Sequence, residues 1–347
     1  MEQEHKRRVR YKGTHPRSYK EKYKELNPEK YKDDVAKIIK DGKTPAGMHI
    51  SIMVEEILDF LQIQPGQIGL DATLGYGGHT RRMLEKLEGQ GYMYATDVDP
   101  IESEKTRARL EALGFGSEIL TIRRMNFAQL DQVAPGQQFD FILADLGVSS
   151  MQIDNPERGF TFKHDGPLDL RLDPTAGVSA AQRLRELKRD ELISLLVENS
   201  DEPYADEIAR AVMKTFKKGG AIDTTRQLYA VIEQALSFLP ESERKEAVKK
   251  SSQRVFQALR IDVNSEFEVL YSFLEKLPTV LKPGGRAAIL TFHSGEDRLV
   301  KQAFRQGLRD GIYSDVAQDV IRPSAQECFQ NPRARSTKMR WAIRAPE

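Results

Sequence analysis

Three closely spaced glycines and a following acid are the first residues in the chain whose pattern indicates chemistry. An apolar run at 68–72 predicts a buried strand, and Gly75, Gly77 and Gly78 after it predict a turn that leads into a helix. Glycine has no Cβ, so such a turn can adopt positive φ and let a ligand approach its N–H groups. Asp97 ends the next predicted strand about 20 residues later, where a carboxylate can accept hydrogen bonds from ribose hydroxyls. The spacing therefore indicates a nucleoside-containing ligand.

Three more predicted strand ends carry aromatic or polar side chains, namely Phe127, Asp145 and His293. An acid such as Asp145, beside a turn of small residues, can accept hydrogen bonds from an exocyclic amine or orient a cofactor. Each residue also has a structural interpretation: Asp145 as a helix cap, His293 as a partner of backbone groups, and Phe127 as core. Their common location at strand ends favours the functional interpretation. No Ser-His-Asp order surrounds a nucleophile elbow, so covalent catalysis is not expected.

Strands and helices alternate along much of the chain, which is typical of an open α/β sheet. Strands are predicted at 68–72, 91–97, 118–122, 139–144, 287–292 and 339–343. Helices are predicted at 52–61, from about residue 80, and at 99–113, and the stretches 253–261 and 266–281 are expected to return the chain to the sheet. The nearly continuous apolar run at 139–144 indicates a parallel strand covered on both faces. Because open α/β sheets bind ligands at the carboxyl ends of their strands, we expect the candidate residues to meet at one edge.

The alternation stops after Asp145, and no convincing strand is visible between 156 and about 250. Apolar residues recur there at helical spacing in four stretches. The predicted helices are 180–187, 190–197, 205–216 and 225–239. We therefore predict an inserted helical domain at 156–250, a sheet domain built from 48–155 and 251–347, and a separate arm at 1–47.

The composition is that of a globular protein: 347 residues, 39% hydrophobic and 30% charged. A single cysteine, Cys328, cannot form an intramolecular disulfide, and no C-x-x-C or His/Cys cluster is present to hold a metal, so no metal is expected. A reducing cytoplasmic location fits this cysteine usage best. No apolar run approaches the length of a membrane span, and the charged N-terminus is unlike a secretory signal.

Charge is unevenly distributed, although the net charge is only +1. Residues 1–47 hold 14 Lys or Arg against 8 Asp or Glu, with Tyr11, Tyr19, Tyr23 and Tyr31 interleaved. Such an arm could neutralise phosphates and stack on unpaired bases. It could equally be a solvated arm with a short helix near its end. The residues leave both interpretations open.

Seven blocks of sequence resemble the signature blocks of the RsmH (MraW) family, in the family's order. They are Asp71-Ala-Thr-Leu-Gly-Tyr-Gly-Gly-His-Thr80, Asp145-Leu-Gly-Val-Ser-Ser150, Glu157-Arg-Gly-Phe160, Asp165-Gly-Pro-Leu-Asp-Leu-Arg-Leu-Asp173, Phe256-Gln-Ala-Leu-Arg-Ile261 with Val263-Asn264-Ser-Glu266, Phe292-His-Ser294 with Glu296-Asp-Arg298, and Asn331-Pro-Arg-Ala-Arg-Ser336. The resemblance covers about 48–345. Members of this family transfer a methyl group from S-adenosylmethionine to the N4 amine of a cytosine in small-subunit ribosomal RNA.

The resemblance implies a class I methyltransferase fold, with a Rossmann-like and mostly parallel sheet, and assigns roles to single residues. The cofactor site would comprise Gly77, Gly78 and His79 at the methionine part, Asp97 at the ribose, Phe127 at the adenine, and Gly75, Asp145 and Gln152 to complete it. Asp145 and the backbone up to Ser149 would handle the charge that develops on the attacking amine, with His293 as a weaker candidate. The substrate-binding candidates are Phe160, Phe162, Arg254, Arg260 and Asn264.

Three departures from the family pattern bear on substrate identity. The residues before Arg254 are Val248-Lys-Lys-Ser-Ser where members usually carry His-Pro, Gly295 stands where a leucine is usual, and the basic arm is extra. They suggest a divergent second copy within the family. Small-subunit RNA or the assembling small subunit remains the expected partner, and the residues leave a homodimer open.

Other classes of function also stay open at this point. A methyltransferase of another RNA position and a noncatalytic RNA-binding assembly factor both remain compatible with the sequence. A nicotinamide-dependent dehydrogenase would share the glycine turn but leaves the blocks at Asp145 and Phe292 unexplained. A methyltransferase of small molecules or proteins is disfavoured by the basic arm and by the Arg-containing block that ends at Ser336.

Overall fold

The structure of the protein, a computed structural model, describes residues 51–346. The predictions for the arm at 1–47 fall outside this range. The strands within it are β1 Ile68–Asp71, β2 Tyr92–Asp97, β3 Leu120–Arg124, β4 Phe139–Asp145, β5 Leu281–Thr291, β6 Tyr313–Val316 and β7 Lys338–Arg344. The α-helices are α1 Val54–Leu61, α2 Gly78–Leu87, α3 Pro100–Ala112, α4 Ser150–Asp154, α5 Ala180–Glu186, α6 Arg189–Ser200, α7 Ala205–Lys217, α8 Thr225–Ala235, α9 Glu241–Val263, α10 Glu266–Val280, α11 Ser294–Arg309 and α12 Ala325–Gln330. Short 3-10 helices lie at Phe127–Gln132, Pro156–Arg158 and Pro332–Ser336.

The strands form one sheet in the order β3-β2-β1-β4-β5-β7-β6. β1 to β5 are parallel, whereas β7 runs antiparallel between β5 and β6. This mostly parallel α/β sheet confirms the predicted class I methyltransferase fold. The register places Asp71 opposite Ala95 on β2 and Asp145 opposite Leu290 on β5. Because the parallel strands end together, their last residues lie along one edge of the sheet.

Helices cover both faces of the sheet, and each face has its own hydrophobic cluster. One cluster joins α1, α2 and α3 to the sheet through residues such as Ile57, Met83 and Leu110. The other joins α10 and α11 to the opposite face, with Phe273 and Phe304 among its largest members. Inward residues of β4 contribute to both clusters, which explains why this strand is apolar at nearly every position.

The helical stretch after β4 has a third hydrophobic cluster of its own, formed mainly by α5 to α9. A single antiparallel bridge, between Pro167 and Thr224, lies within it. The four helices predicted there are present as α5 to α8. The predicted boundary at residue 250 falls inside the continuous helix α9, so no break in secondary structure marks it. The division into sheet and inserted domains stays a prediction.

Several elements near the carboxyl end differ from the sequence prediction. The stretch 253–261, expected to return the chain to the sheet, lies in the last part of α9, which begins at Glu241. Its first turns are too rich in charge to show an apolar period, and Val248 is the buried apolar residue among them. α11, β6 and α12 were not predicted. None of the helices in the described part of the chain combines the length and apolar character that a bilayer crossing requires.

Candidate active site at the carboxyl ends of the strands

The glycine turn between β1 and α2 is held by groups from neighbouring elements. The N–H of Gly75 donates to a carboxylate oxygen of Asp97 over 2.8 Å, and its carbonyl accepts from the hydroxyl of Thr106 over 2.6 Å. Gly75 and Gly77 both have positive φ. A Cβ on Gly77 would lie 2.6 Å from Cγ2 of Thr106, whereas one on Gly75 would meet nothing nearer than 3.8 Å. The backbone at Gly75 is therefore the more open side of the turn.

Asp97 ends β2 and is half-buried beside this turn. One carboxylate oxygen accepts the N–H of Gly75, and the other accepts the N–H of Asp99 over 2.8 Å. Burial raises the pKa of Asp97 to about 6. A carboxylate oxygen has two lone pairs, so each oxygen can still accept a hydrogen bond from a ligand hydroxyl.

Asp145 ends β4, and its two carboxylate oxygens have different surroundings. Its N–H donates to the hydroxyl oxygen of Thr73 over 2.6 Å. Oδ2 lies 3.5 Å from Nδ1 of His79. Oδ1 is buried and has no hydrogen-bond partner among the residues that the structure describes, although the side chain as a whole is 20% exposed. One oxygen thus adjoins a protein side chain, whereas the other is a buried acceptor that no described residue occupies.

His79 lies in the first turn of α2 and is almost fully buried. Its Nε2 is 2.8 Å from the carbonyl oxygen of Ile52. A carbonyl can only accept, so Nε2 carries a hydrogen and Nδ1 faces Asp145. Burial raises the pKa of Asp145 to about 6; the charge of His79 opposes this shift, and Asp71 and Glu296 add to it. The Nδ1 edge of the His79 ring therefore adjoins Oδ2 of Asp145.

Asp71, at the end of β1, is a site residue to which the sequence analysis assigned no role. Its carboxylate is buried and accepts from the hydroxyl of Thr80 over 2.6 Å and from the N–H of Thr73 over 3.1 Å. Burial raises its pKa. The available signal was its place at a strand end, the same place that drew attention to Asp97 and Asp145. Asp71 supports Thr73, which in turn holds the backbone of Asp145.

Ser149 and Gln152 form the capping box of α4. The hydroxyl of Ser149 accepts the N–H of Gln152, and the amide oxygen of Gln152 accepts the N–H of Ser149. The amide nitrogen of Gln152 donates to Asp99 over 2.8 Å. Both side chains are therefore engaged within the protein, and Gln152 holds α4 against the loop that follows β2.

Asp99 and Arg158 are a second pair that the sequence analysis missed. Asp99 is fully buried, caps α3, and accepts from Nη1 of Arg158 over 2.7 Å. The other terminal nitrogen of Arg158 donates to the carbonyls of Arg171 and Leu172. This ion pair joins the sheet edge to the segment that leads into the helical stretch.

The three candidate aromatics occupy different surroundings. Phe127 is half-buried near the end of β3, with its ring edge on to Phe273 at a centroid distance of 5.3 Å. Phe160 and Phe162 both pack against the hydrophobic cluster of the helical stretch. Phe162 is stacked on Tyr229 at 5.4 Å. Phe127 therefore lies with the sheet-edge residues, whereas Phe162 is committed to packing among helices.

His293 follows β5 and belongs to a buried charged network. Its Nε2 lies 3.3 Å from Oε1 of Glu296 without hydrogen-bond alignment, while Oε2 of Glu296 accepts the N–H of Phe292. Arg260 forms a two-pronged ion pair with Glu266 over 2.7 and 2.9 Å. Burial alone would raise the pKa of Glu296, but His293 and Arg260 lower it below its usual value. Arg260 is thus engaged by a protein carboxylate.

Gly295, a departure from the family pattern, has a steric reason in this fold. A Cβ at this position would lie 2.7 Å from Cζ of Phe267 and 3.2 Å from Nδ1 of His293. The Phe267 ring packs against the His293 ring at a centroid distance of 5.8 Å. Glycine therefore leaves room for Phe267 beside the histidine, where a larger side chain would overlap it.

The remaining substrate candidates lie at the carboxyl end of α9. Asn264 donates to the carbonyls of Leu170 and Arg260 and accepts the N–H of Leu172, so its amide fastens the segment before α5 to the helix. Arg254 is half-buried on the same helix. The structure thus gathers the glycine turn, Asp97, His79 and Asp145 at one edge, with Phe127 and His293 at neighbouring strand ends.

Comparison with known proteins gives one family and many close relatives. The family model described as the MraW methylase family matches residues 46–345. "Ribosomal RNA small subunit methyltransferase H 1" of Agathobacter rectalis is 68% identical over 99% of both chains. "Ribosomal RNA small subunit methyltransferase H 2" of Alkaliphilus metalliredigens is 61% identical, again over 99% of both. A Thioalkalivibrio sulfidiphilus relative is 41% identical over 86% of this chain and 98% of its own.

Solved structures resemble the chain only distantly. An rRNA methylase from Streptococcus thermophilus is 14% identical with a TM-score of 0.40, and the match covers 86% of this chain and all but 1% of that one. An S-adenosylmethionine-dependent O-methyltransferase from Thermotoga maritima is 9% identical with a TM-score of 0.41, over 90% of this chain and 71% of its own.

Proposed function

The chain belongs to the MraW methylase family, and from that premise we propose that it methylates the exocyclic N4 of a cytosine in small-subunit (16S) ribosomal RNA. The methyl donor is S-adenosylmethionine, and transfer to the amine is direct. The observation that carries this proposal is Asp145, a strand-end carboxylate with one oxygen near His79 and the other buried and without a hydrogen-bond partner in the described part of the chain. Such an oxygen matches an amine that must give up a proton.

The residues at the sheet edge fit the methyl donor. The open backbone at Gly75 and the lone pairs left on Asp97 suit a ribose, and the half-buried ring of Phe127 offers an apolar face for an adenine. When bound, S-adenosylmethionine supplies an electrophilic methyl group on a sulfonium. The carboxylates of Asp97 and Asp145 favour a cation in their neighbourhood.

The chemical task of the chain's own residues concerns the amine. The lone pair of an exocyclic cytosine nitrogen is delocalised into the ring, so attack requires that the amine be positioned and that its developing positive charge be stabilised. Oδ1 of Asp145 accepts a hydrogen bond from this amine and then its proton. His79, with Nε2 bound to Ile52, fixes the orientation of Asp145 through Oδ2. His293, paired with Glu296 beyond the neighbouring strand end, is a second proton acceptor of lower rank.

The helical stretch at 156–250 is proposed to recognise the RNA substrate. Phe160 packs only partly into its hydrophobic cluster and remains the better candidate for stacking on the target base, whereas Phe162 is already stacked on Tyr229. The partner is small-subunit ribosomal RNA or the assembling small subunit. The location is cytoplasmic, because a chain with a single cysteine fits a reducing compartment best.

The test is methyl transfer from labelled S-adenosylmethionine to small subunits and to naked RNA, both taken from a strain that lacks this protein. Nucleoside analysis should find N4-methylcytidine at a single position. Label in a different nucleoside would redirect the proposal to another RNA position. Cofactor binding without label in any RNA would instead favour a noncatalytic assembly factor.

A further inference from the structure

Residues 322–338, here called the basic loop, leave and rejoin the sheet at the edge that carries the site. Ile321 and Met339 exchange backbone hydrogen bonds of 3.1 and 2.9 Å, so they close the loop at its base. Lys338, the first residue of β7, pairs with Thr291, the last residue of β5. Since β7 is antiparallel, its start lies at the carboxyl ends of the parallel strands. The loop therefore projects from the same edge as Asp145.

Two contacts hold the basic loop close to the candidate active site. A carboxylate oxygen of Glu327 accepts the N–H of Met53 over 2.8 Å, and the neighbouring carbonyl of Ile52 is the partner of His79. Arg333 pairs with Asp154 at the end of α4, over 2.6 Å. The loop is thus fixed both to the segment that orients His79 and to the helix that follows the Asp145 turn.

The exposed side chains of the basic loop are suited to nucleic acid. Of its four cations, Arg322 and Arg335 are exposed, whereas Arg333 pairs with Asp154 and Lys338 with Asp297; Glu327 is its single acid. Phe329 is 85% exposed, the highest value among the large apolar side chains in the described part of the chain. Its neighbour Cys328 packs toward the sheet, so α12 directs Phe329 outward. Exposed aromatic rings and exposed arginines in one segment are the side chains with which proteins stack on unpaired bases and neutralise phosphates.

We propose that the basic loop binds the single-stranded ribosomal RNA beside the target nucleotide, with Phe329 stacked on an unpaired base and Arg335 at a phosphate. The inference rests on the proposed function, because the edge that the loop borders is the methylation site. The two exposed arginines, Arg322 and Arg335, favour RNA over an apolar protein partner, and the fixed tethers favour a role in positioning the strand. Stacking on any base is tolerated, so the loop adds affinity and register and does not select the cytosine.

The test compares Phe329→Ala with Phe329→Tyr, which keeps a ring, and with Leu113→Ala. Leu113 is 53% exposed and follows α3, which begins beside Asp97 and runs toward the opposite edge of the sheet. Leu113→Ala therefore removes exposed apolar surface away from the site and serves as the matched control. Loss of one stacked base should raise KM for small subunits about fivefold or more in Phe329→Ala. Phe329→Tyr should restore KM, while kcat and cofactor affinity stay unchanged in all three variants.

Arg335→Ala tests the phosphate contact separately. The slope of log affinity against log salt for subunit binding should become shallower by about 0.7 to 1. The proposal would be overturned by an unchanged KM in Phe329→Ala or by an equal rise in KM in Leu113→Ala. An unchanged salt slope in Arg335→Ala would also overturn it. So would loss of self-association in Phe329→Ala, because the ring would then cover a second copy. Filter binding measures the affinity for small subunits without cofactor, so it tests RNA binding by the basic loop even if the wild type transfers no methyl group. Failure of the basic-loop proposal can therefore be told apart from failure of the proposed function.

Discussion

Three carboxylates end neighbouring strands, and the hydrogen bonds of each decide what it can do. Asp71 is fully buried and occupied by Thr73 and Thr80. Asp97 holds the glycine turn with one oxygen and the N–H of Asp99 with the other. Asp145 alone among these three keeps a buried oxygen without a partner in the described part of the chain. The same residue type therefore serves as a structural support, a turn holder and a candidate proton acceptor.

Asp145→Asn should lower turnover at saturating cofactor about 100- to 1000-fold, because an amide cannot take the proton of the amine. Burial raises the pKa of Asp145 to about 6, so wild-type turnover should fall as the pH drops below about 6. Initial rates with small subunits, measured from about pH 5 to 8.5 at saturating cofactor, check both effects. Saturation is needed because Asp97 also titrates near pH 6.

The control for this variant is its stability. Because the folded pKa of Asp145 is raised, the folded protein binds more protons than the unfolded chain between about pH 4 and 6, and stability falls as the pH rises through that window. Asp145→Asn removes this penalty and should raise the unfolding temperature at pH 8 by about 2 °C. A variant that is less stable than the wild type, or one that keeps wild-type turnover at saturating cofactor, would contradict the assigned role.

At the scale of elements, the site depends on a turn whose glycines are required for different reasons. Gly75 needs positive φ, while Gly77 combines positive φ with close contact to Thr106. Thr106 in turn binds the carbonyl of Gly75. Displacing Thr106 would therefore disturb the part of the turn that approaches the ligand.

Gly77→Ala and Gly89→Ala separate backbone strain from steric overlap. Both glycines have positive φ, but only a Cβ on Gly77 meets another atom within 4 Å. Gly89→Ala should cost about 1 kcal/mol of stability and leave cofactor affinity unchanged. Gly77→Ala should cost more and weaken cofactor binding at least tenfold, as measured by thermal unfolding and titration calorimetry. Equal cofactor affinity in the two variants would show that the turn tolerates movement of Thr106.

At the scale of the whole molecule, the buried ion pair of Asp99 with Arg158 connects the sheet edge to the helical stretch. Arg158 also donates to the carbonyls of Arg171 and Leu172. A second arginine, Arg124 at the end of β3, pairs with Asp173 of the same segment but is half exposed. The two pairs bridge similar elements and differ mainly in burial.

Arg158→Ala should destabilise the protein by about 3 kcal/mol, because it leaves Asp99 buried without its cation. It should also weaken cofactor binding, since Asp99 adjoins Asp97. Arg124→Ala, the matched exposed pair, should cost less than about 1 kcal/mol and leave cofactor affinity unchanged. Denaturant unfolding and cofactor titration of both variants provide the comparison. Equal losses of stability in the two variants would show that burial of the ion pair does not set its contribution.

Much of the fold and part of the site follow from local pattern. The apolar run of β4, the glycines after β1 and the strand-end acids Asp97 and Asp145 are all visible in the sequence, because strand period and turn chemistry depend on near neighbours. These signals predicted the mostly parallel sheet and the edge at which candidate residues meet. The resemblance to the RsmH (MraW) family then predicted the ligand, and the family match bears out that membership.

Only the tertiary structure decided which of these side chains remain available. Ser149 and Gln152 are committed to a helix cap, and Asn264 to a segment nearly a hundred residues away. The structure also shows that Asp99 pairs with Arg158 and that Phe329 is the exposed aromatic ring of the basic loop. Hydrogen bonding and burial between distant segments are set by packing, which no spacing along the chain encodes, so availability of a side chain is a property of the folded molecule.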